Sequence, residues 1–143
     1  MNKIISVLLA AALLFSMNLC GGFLSANAAD TRASNYISYC EVTLSQGKTG
    51  EAILNYYVEA VTVSNTKIGI SKIEIYTAFG DYVKTINGST SNGLIVKSAK
   101  THEGNYSITL PTGQIYYAYV TFIVENSTGS ETKSISTNTL TLS

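Results

Sequence analysis

The sequence is poor in residues that build metal sites, disulfides and charged surfaces. Its 143 residues include one histidine, two cysteines, one proline and no tryptophan, and only 13% of them are charged. A zinc site needs three or four His, Cys or carboxylate ligands, so this composition argues against zinc. The acidic residues stand singly and form no Asp-x-Asp run, which is the wrong pattern for a calcium loop. We therefore expect no metal and no cofactor.

Few side chains are available for catalysis. His102 alone could act as the base for a serine nucleophile, and it lies in a polar stretch, 100–104, that is typical of a solvated turn. A pair of carboxylates for glycoside cleavage must face each other across a cleft. The strand-like segments instead place their glutamates outward, at Glu41, Glu51, Glu59 and Glu74. We predict no catalytic residues and no enzyme.

A hydrophobic leader opens the chain. Lys3 is the only charge before an apolar run over residues 4–15, and small residues follow at Ser25-Ala26-Asn27-Ala28-Ala29. A positive end, an apolar stretch and an Ala-x-Ala site in this order are typical of a secretory signal peptide. We predict a signal peptide over residues 1–29, cleavage after Ala28 or Ala29, and secretion of the remainder.

Two alternatives to cleavage stay open. Residues 4–24 approach the length of about 20 residues that crosses a bilayer, so the leader could remain as an anchor. Asn18 and Gly21-Gly22 interrupt that run, and no basic cluster follows it. Cys20 could carry a lipid, although Leu19 occupies the position where a lipobox has a small residue.

The predicted mature chain, residues 30–143, is nearly neutral. Without Lys3 it keeps eight basic and nine acidic residues, a net charge of about −1. This balance gives no electrostatic basis for binding nucleic acid or an anionic membrane. Cys40 remains as a single cysteine, so we expect a buried thiol and no internal disulfide. About 114 residues suffice for one core, which predicts a single domain.

The mature chain has the pattern of an all-β protein. Runs of β-branched and aromatic residues alternate with Gly, Asn and Ser clusters. Alternation places Cys40 on a core face together with Tyr36, Ser38, Val42 and Leu44. Ile68 and Ile70 are out of phase with Ile73, which predicts a bulge near Ser71. We predict seven strands, at residues 36–45, 51–63, 68–78, 82–86, 105–110, 114–125 and 130–142.

One tyrosine favours a particular sandwich. Tyr116 follows a turn and precedes the small inward residue Ala118 by two positions. Immunoglobulin-like domains place their corner tyrosine two residues before an inward cysteine. We therefore predict an immunoglobulin-like, fibronectin-type β-sandwich of about seven strands, without the disulfide. A jelly roll or a small barrel is the alternative.

Short motifs of packing and turn residues span nearly the whole mature chain. They are Ser34-Asn35-Tyr36-Ile37, Lys67-Ile68-Gly69-Ile70-Ser71-Lys72-Ile73-Glu74-Ile75-Tyr76, Thr90-Ser91-Asn92-Gly93, Tyr116-Tyr117-Ala118-Tyr119-Val120-Thr121-Phe122 and Thr137-Asn138-Thr139-Leu140. In these motifs the chain resembles an uncharacterised family of small secreted single-domain proteins from clostridia and related Gram-positive bacteria. The resemblance implies an immunoglobulin-like fold and transfers no catalytic residue. Members of that family often carry a longer, Trp-bearing segment where this chain has Ala78-Phe79-Gly80-Asp81.

The ten tyrosines are the one sign of a binding surface. In an immunoglobulin-like topology the third and sixth predicted strands pair, so Tyr76 and Tyr119 should share a face. We predict a non-enzymatic module that contacts a protein at the cell surface or in the medium; the alternative is a carbohydrate-binding module that uses an outward aromatic face. A flat, coplanar, exposed set of rings would favour a glycan, and a curved or self-packed set a general scaffold. Cross-strand pairing of the rings that only stabilises the sheet is the remaining alternative. Four tyrosines fall on outward positions: Tyr57, Tyr76, Tyr117 and Tyr119.

Overall fold

Alternating apolar and polar residues divide the chain into antiparallel strands. The structure is a computed structural model that describes residues 35–143, so the predicted signal peptide and its cleavage site lie outside the described residues. Within that range no helix is long and apolar enough to cross a membrane. The described strands are β1 (Ile37–Gln46), β2 (Glu51–Ala60), β3 (Asn65–Thr77), β4 (Tyr82–Asn87), β5 (Ile95–Val96), β6 (Thr101–Thr109), β7 (Gln114–Asn126), β8 (Gly129–Ser136) and β9 (Leu140–Leu142).

The strands form two sheets. The first sheet has the order β1-β2-β6, and the second has the order β4-β3-β7-β8, with β5 also paired to β3 and β9 also paired to β7. All pairs are antiparallel. The fourth strand pairs with the third, as an added C′ strand does in immunoglobulin-like domains. The predicted all-β, immunoglobulin-like sandwich is confirmed.

The core lies between the two sheets and follows the two-residue period of each strand. On β2 every second residue is buried while the residues between them are half-buried. On β7 the same alternation runs from Tyr116 to Val124. The ring of Phe122 has no exposed surface. Burial of these faces supplies the main stabilisation, because the described cysteine, Cys40, is a free thiol and forms no disulfide.

A bulge in β3 lets both halves of that strand face the core. The register of β3 against β7 shifts between Ile70 and Lys72, as the sequence predicts. Ile70 and Ile73 are both fully buried although three positions separate them. Ser71 donates a hydrogen bond from its hydroxyl to the carbonyl oxygen of Thr121, at 3.0 Å. The extra residue therefore changes the phase of the strand, and its side chain still bonds to the neighbouring strand.

Several predicted strands differ near their ends. The second strand ends at Ala60 rather than Val63, and the third begins at Asn65 rather than Ile68. The register of β1 also shifts, between Ile37 and Tyr39. Ile37 is consequently buried and Ser38 is exposed, so the predicted core position of Ser38 is wrong. The polar stretch before Asn105 is also part of a strand. β6 begins at Thr101, because residues 101–104 pair with β2 although they carry no apolar pattern.

The predicted last strand, 130–142, is two strands separated by residues that hold the sheets together. Thr137 exchanges two hydrogen bonds with Ala118 of β7: its hydroxyl accepts from the Ala118 amide and its own amide donates to the Ala118 carbonyl, each at 2.9 Å. Asn138 bonds to Leu44 of the other sheet, accepting from its amide at 2.8 Å and donating to its carbonyl at 3.0 Å. The residues between β8 and β9 thus form hydrogen bonds to both β7 and β1 and link the two sheets.

Candidate functional site

Four tyrosine rings contact one another on the outer face of the second sheet. The pairing of β3 with β7 sets Tyr76 opposite Tyr117 and Glu74 opposite Tyr119, so the predicted shared face is confirmed. Tyr82 joins them because it is the first residue of β4 and pairs with Tyr76. We call this group, Tyr76, Tyr82, Tyr117 and Tyr119, the tyrosine patch.

Most rings of the tyrosine patch meet edge to face. Tyr76 and Tyr117 are stacked, with ring centroids 5.7 Å apart and planes 20° from parallel. Tyr76 meets Tyr82 at 71° and Tyr119 at 78°, and Tyr117 meets Tyr119 at 83°. The centroid separations fall within the range in which aromatic pairs stabilise each other. The rings therefore form a self-packed cluster with an uneven surface.

Apolar side chains extend the tyrosine patch toward the β3–β4 turn. Phe79 in that turn is 93% exposed, and Tyr82 is 60% exposed. Ile115 is 45% exposed, and its carbonyl accepts a hydrogen bond from the amide of Ala78, which brings β7 beside the turn. Soluble domains seldom leave adjoining large apolar side chains in water unless the surface has a partner. This end of the second sheet is therefore a candidate contact surface.

Tyr57 does not belong to this surface. It lies on β2, in the middle of the first sheet, on the opposite side of the sandwich from Tyr76 and Tyr117. Its ring is 6.0 Å from that of Tyr39, at an angle of 53°. Three of the four outward tyrosines of the sequence are thus brought together, and the fourth has a separate setting.

Tyr57 lies in an open groove of about 510 Å³ on the outer face of the first sheet. Register places Glu41 and Glu103 on either side of Tyr57, one on β1 and one on β6. The neighbouring row has Asn55 on β2 between a threonine on β1 and an asparagine on β6. We call this the Tyr57 groove, lined by Glu41, Val42, Thr43, Asn55, Tyr56, Tyr57, Glu103, Gly104 and Asn105.

The charges around the Tyr57 groove are mostly negative. The hydroxyl of Tyr39 donates to Glu41 Oε2 at 2.7 Å, and this hydrogen bond together with the charge of Glu41 raises the pKa of Tyr39. Glu59 pairs with Lys100 at 3.1 Å. Over residues 35–143 no lysine lies within ion-pair distance of Glu41 or Glu103. Two carboxylates beside the Tyr57 ring thus lack a cationic partner within the described chain.

His102 has a structural role in the sandwich. Its Nε2 atom lies 2.9 Å from the carbonyl oxygen of Gly93 and 3.0 Å from the hydroxyl of Tyr56, and its ring packs edge-on against Tyr56. The prediction of a solvated turn is wrong, because His102 is half-buried in β6. The groups that meet Nε2 are a phenol and a backbone carbonyl, and no serine hydroxyl is among them.

Cys40 is buried on the core face of β1, as predicted. Desolvation raises the pKa of its thiol, which opposes formation of the reactive thiolate. Nowhere in the described part of the chain do three or more His, Cys, Asp or Glu side chains come together in a way that could hold a metal ion.

Comparisons with known proteins give no family. No protein-family model and no curated protein matches the chain. Among solved structures, the β-glucuronidase of Parabacteroides merdae with glycerol in its active site is similar over 70% of this chain and 13% of its own, with 15% identity and a TM-score of 0.39. A family 76 glycoside hydrolase from a bovine Bacteroides thetaiotaomicron strain is similar over 75% and 21%, with 18% identity and a TM-score of 0.41. The chain thus spans a small part of each enzyme.

Sequence reasoning missed Tyr82 and Phe79 as surface residues. It placed Glu41 outward but did not bring Glu41 together with Tyr57 and Glu103. A signal for Tyr82 exists, because the Gly80-Asp81 turn returns the chain and sets the next residue beside Tyr76. Glu103 could not be found, since its strand has no apolar alternation. Its position beside Tyr57 depends on the pairing of β6 with β2.

Proposed function

We propose that the chain is a secreted, non-enzymatic module that binds a partner protein through the tyrosine patch. The observation that supports this most is the run of exposed apolar side chains from Phe79 and Ile115 to Tyr82 and Tyr119 at one end of the second sheet. Tyrosine provides a rigid, amphipathic contact surface and is enriched in protein interfaces. Contacts among the rings hold them in place before binding, which lowers the entropy lost on association.

The geometry of the rings favours a protein over a glycan at this patch. A sugar ring stacks on a flat, open aromatic face. Tyr76 and Tyr117 are the one near-parallel pair of the patch, and both are half-buried, while the other contacts are edge to face. A protein surface with its own apolar relief can fit such an uneven cluster, whereas a polysaccharide chain would lack a continuous platform.

Binding of the mature domain to the cells that export it tests the proposal. Labelled wild-type protein is compared with a Phe79→Ser/Tyr82→Ser double variant and with the control Val63→Ser, which alters an exposed apolar side chain in the connection between β2 and β3. Removing two interface anchors should weaken binding about tenfold or more, and the control should stay within about twofold of wild type. Equal binding of the two variants, or no binding by wild type, would overturn the proposal. Competition by soluble cell polysaccharide, and not by protease-released surface protein, would establish the glycan alternative.

Secretion itself is tested by the intact mass of the protein in the medium. Cleavage at the predicted Ala-x-Ala site gives a chain that begins at Ala29 or Asp30. A cell-bound product that retains Lys3 would contradict cleavage. A diacylglycerol mass on Cys20 would show the lipoprotein form instead.

A further inference from the structure

The Tyr57 groove is a second surface that the proposed function does not use. It lies on the outer face of the first sheet, whereas the tyrosine patch is on the outer face of the second. The strands of a sheet lie about 4.8 Å apart, so Glu41 and Glu103 stand roughly 10 Å apart with Tyr57 between them. A single extended side chain can reach across this distance. The Tyr57 groove and the tyrosine patch are therefore separate surfaces of the molecule.

Charge on this face is balanced at its ends but not in the groove. Lys100 neutralises Glu59 near one end of β2. At the other end, the backbone amide of Lys48 donates to Glu51 Oε2 at 3.1 Å, and this hydrogen bond, together with the positive charge of the Lys48 side chain, lowers the pKa of Glu51. Glu41 and Glu103 have no such cationic neighbour among the described side chains. The middle of the face is thus locally negative, which attracts a cation.

The two carboxylates of the groove need hydrogen-bond donors. Carboxylates at Glu41 and Glu103 accept hydrogen bonds and, when ionised, donate none. The amide nitrogen of Asn55 already donates to the hydroxyl of Ser45, at 2.9 Å. A neutral sugar hydroxyl meets such a site with both donors and acceptors. A guanidinium group has five donors and no acceptor, and it also carries the positive charge that the groove lacks.

The ring of Tyr57 supplies the third element of the site. Tyr57 is half-buried on β2, with Glu41 and Glu103 beside it on the neighbouring strands. The ring of Tyr39 also contacts it, with the ring centroids 6.0 Å apart. Aromatic rings attract cations to their faces, and a planar guanidinium stacks on tyrosine better than a compact ammonium does. We propose that the Tyr57 groove binds an arginine side chain of a partner polypeptide, with the guanidinium over Tyr57 and its donors on Glu41 and Glu103.

A titration with short peptides tests this site. The probe is acetyl-Gly-Arg-Gly-amide, added to isotope-labelled protein and followed by amide chemical shifts; the matched peptide with neutral citrulline is the control ligand. We expect shifts centred on Asn55, Tyr57 and Glu103, and binding by the citrulline peptide weaker by about tenfold. The affinity for the arginine peptide should fall as salt is raised.

Matched variants locate the binding. Glu41→Gln and Glu103→Gln should each weaken the arginine peptide about fivefold, and Tyr57→Leu should do the same. Glu74→Gln is the control, since Glu74 lies on the other sheet and pairs with Lys72 at 3.1 Å. No shifts in the groove, equal binding of the two peptides, or an equal effect of the control would overturn the proposal. Shifts produced by an oligosaccharide and not by the peptide would also overturn it. These variants leave the tyrosine patch intact, so failure here is distinguishable from failure of the proposed function.

Discussion

The hydroxyl of Tyr116 donates a hydrogen bond to the carbonyl oxygen of Pro111, 2.8 Å away and five residues upstream. The ring is only 2% exposed, and Ala118 is fully buried two residues further on. This is the corner that the sequence predicts, with alanine in the position of the inward cysteine. The bond fixes the turn before β7, and β7 pairs with β3, β8 and β9.

Removing the Tyr116 hydroxyl should destabilise the domain without changing its fold. Tyr116→Phe keeps the ring packing and leaves the Pro111 carbonyl without its partner, so the free energy of unfolding should fall by about 1–3 kcal/mol. Tyr119→Phe is the control, because Tyr119 is 44% exposed and should change stability by less than about 0.5 kcal/mol. Chemical denaturation of both variants measures the difference. Equal, negligible effects would show that the corner bond contributes nothing.

The core depends on the inward face of β7. Phe122 is fully buried between the sheets, so Phe122→Ala should lower the free energy of unfolding by roughly 3–5 kcal/mol through lost burial and the cavity left behind. Ile123→Ala, on the half-exposed outer face of the same strand, should lower it by less than half as much. Thermal and urea unfolding compare the two. A larger loss of stability for Ile123→Ala than for Phe122→Ala would show that the inward and outward faces of β7 are assigned the wrong way round.

Gly69 is required by the approach of two strands. Its φ angle is +147°, and a Cβ atom there would collide with the carbonyl oxygen of Leu94 in the backbone leading into β5. Gly69→Ala should therefore lower the free energy of unfolding by about 3 kcal/mol or more. Gly80→Ala provides the comparison, since Gly80 also has positive φ but open space around it, and about 1–2 kcal/mol is expected. Similar losses at both sites would mean that β5 moves aside easily.

The ion pair between β3 and β7 should give the stability a dependence on acidic pH. Lys67 donates to Glu125 Oε2 at 3.1 Å, and this bond holds the pKa of Glu125 below its usual value. Because the folded pKa is the lower one, the stabilisation is fully present above the unfolded pKa, near 4.3, and is lost as pH falls through the folded pKa. In Lys67→Met, an NMR titration should show the Glu125 pKa returning upward. An unchanged titration would assign the lowered pKa to another neighbour.

Local alternation predicts much of the fold, but pairing between strands decides the rest. The phases of Ile70 and Ile73 reveal the bulge at Ser71, because both residues must reach one core. Extending the same alternation to Ser38 predicts a core position, but the register of β1 shifts there and the sequence carries no sign of that shift. Residues 101–104 form a strand because β2 supplies their hydrogen bonds, not because their side chains are apolar.

The same distinction holds for the two candidate surfaces. Pairing of the third strand with β7 was sufficient to predict that Tyr76 and Tyr119 share a face. Tyr57 looks equivalent to them in sequence, since all three are outward tyrosines, but it belongs to the opposite sheet. The Tyr57 groove combines residues from three strands and depends on two registers at once, so no single segment of the sequence contains it.

The hydrogen bonds between Asn138 and Leu44 also protect the molecule from other copies of itself. β1 is an edge strand, and an edge with free amide and carbonyl groups can template the addition of a strand from another molecule. Asn138 forms hydrogen bonds with both the amide and the carbonyl of Leu44. Two residues after Leu44, the side chain of Gln46 forms hydrogen bonds with the backbone of Ser143. An incoming strand would have to displace both contacts. Asn138 and Ser143 thus cover this edge of the first sheet, which opposes edge-to-edge aggregation of the domain.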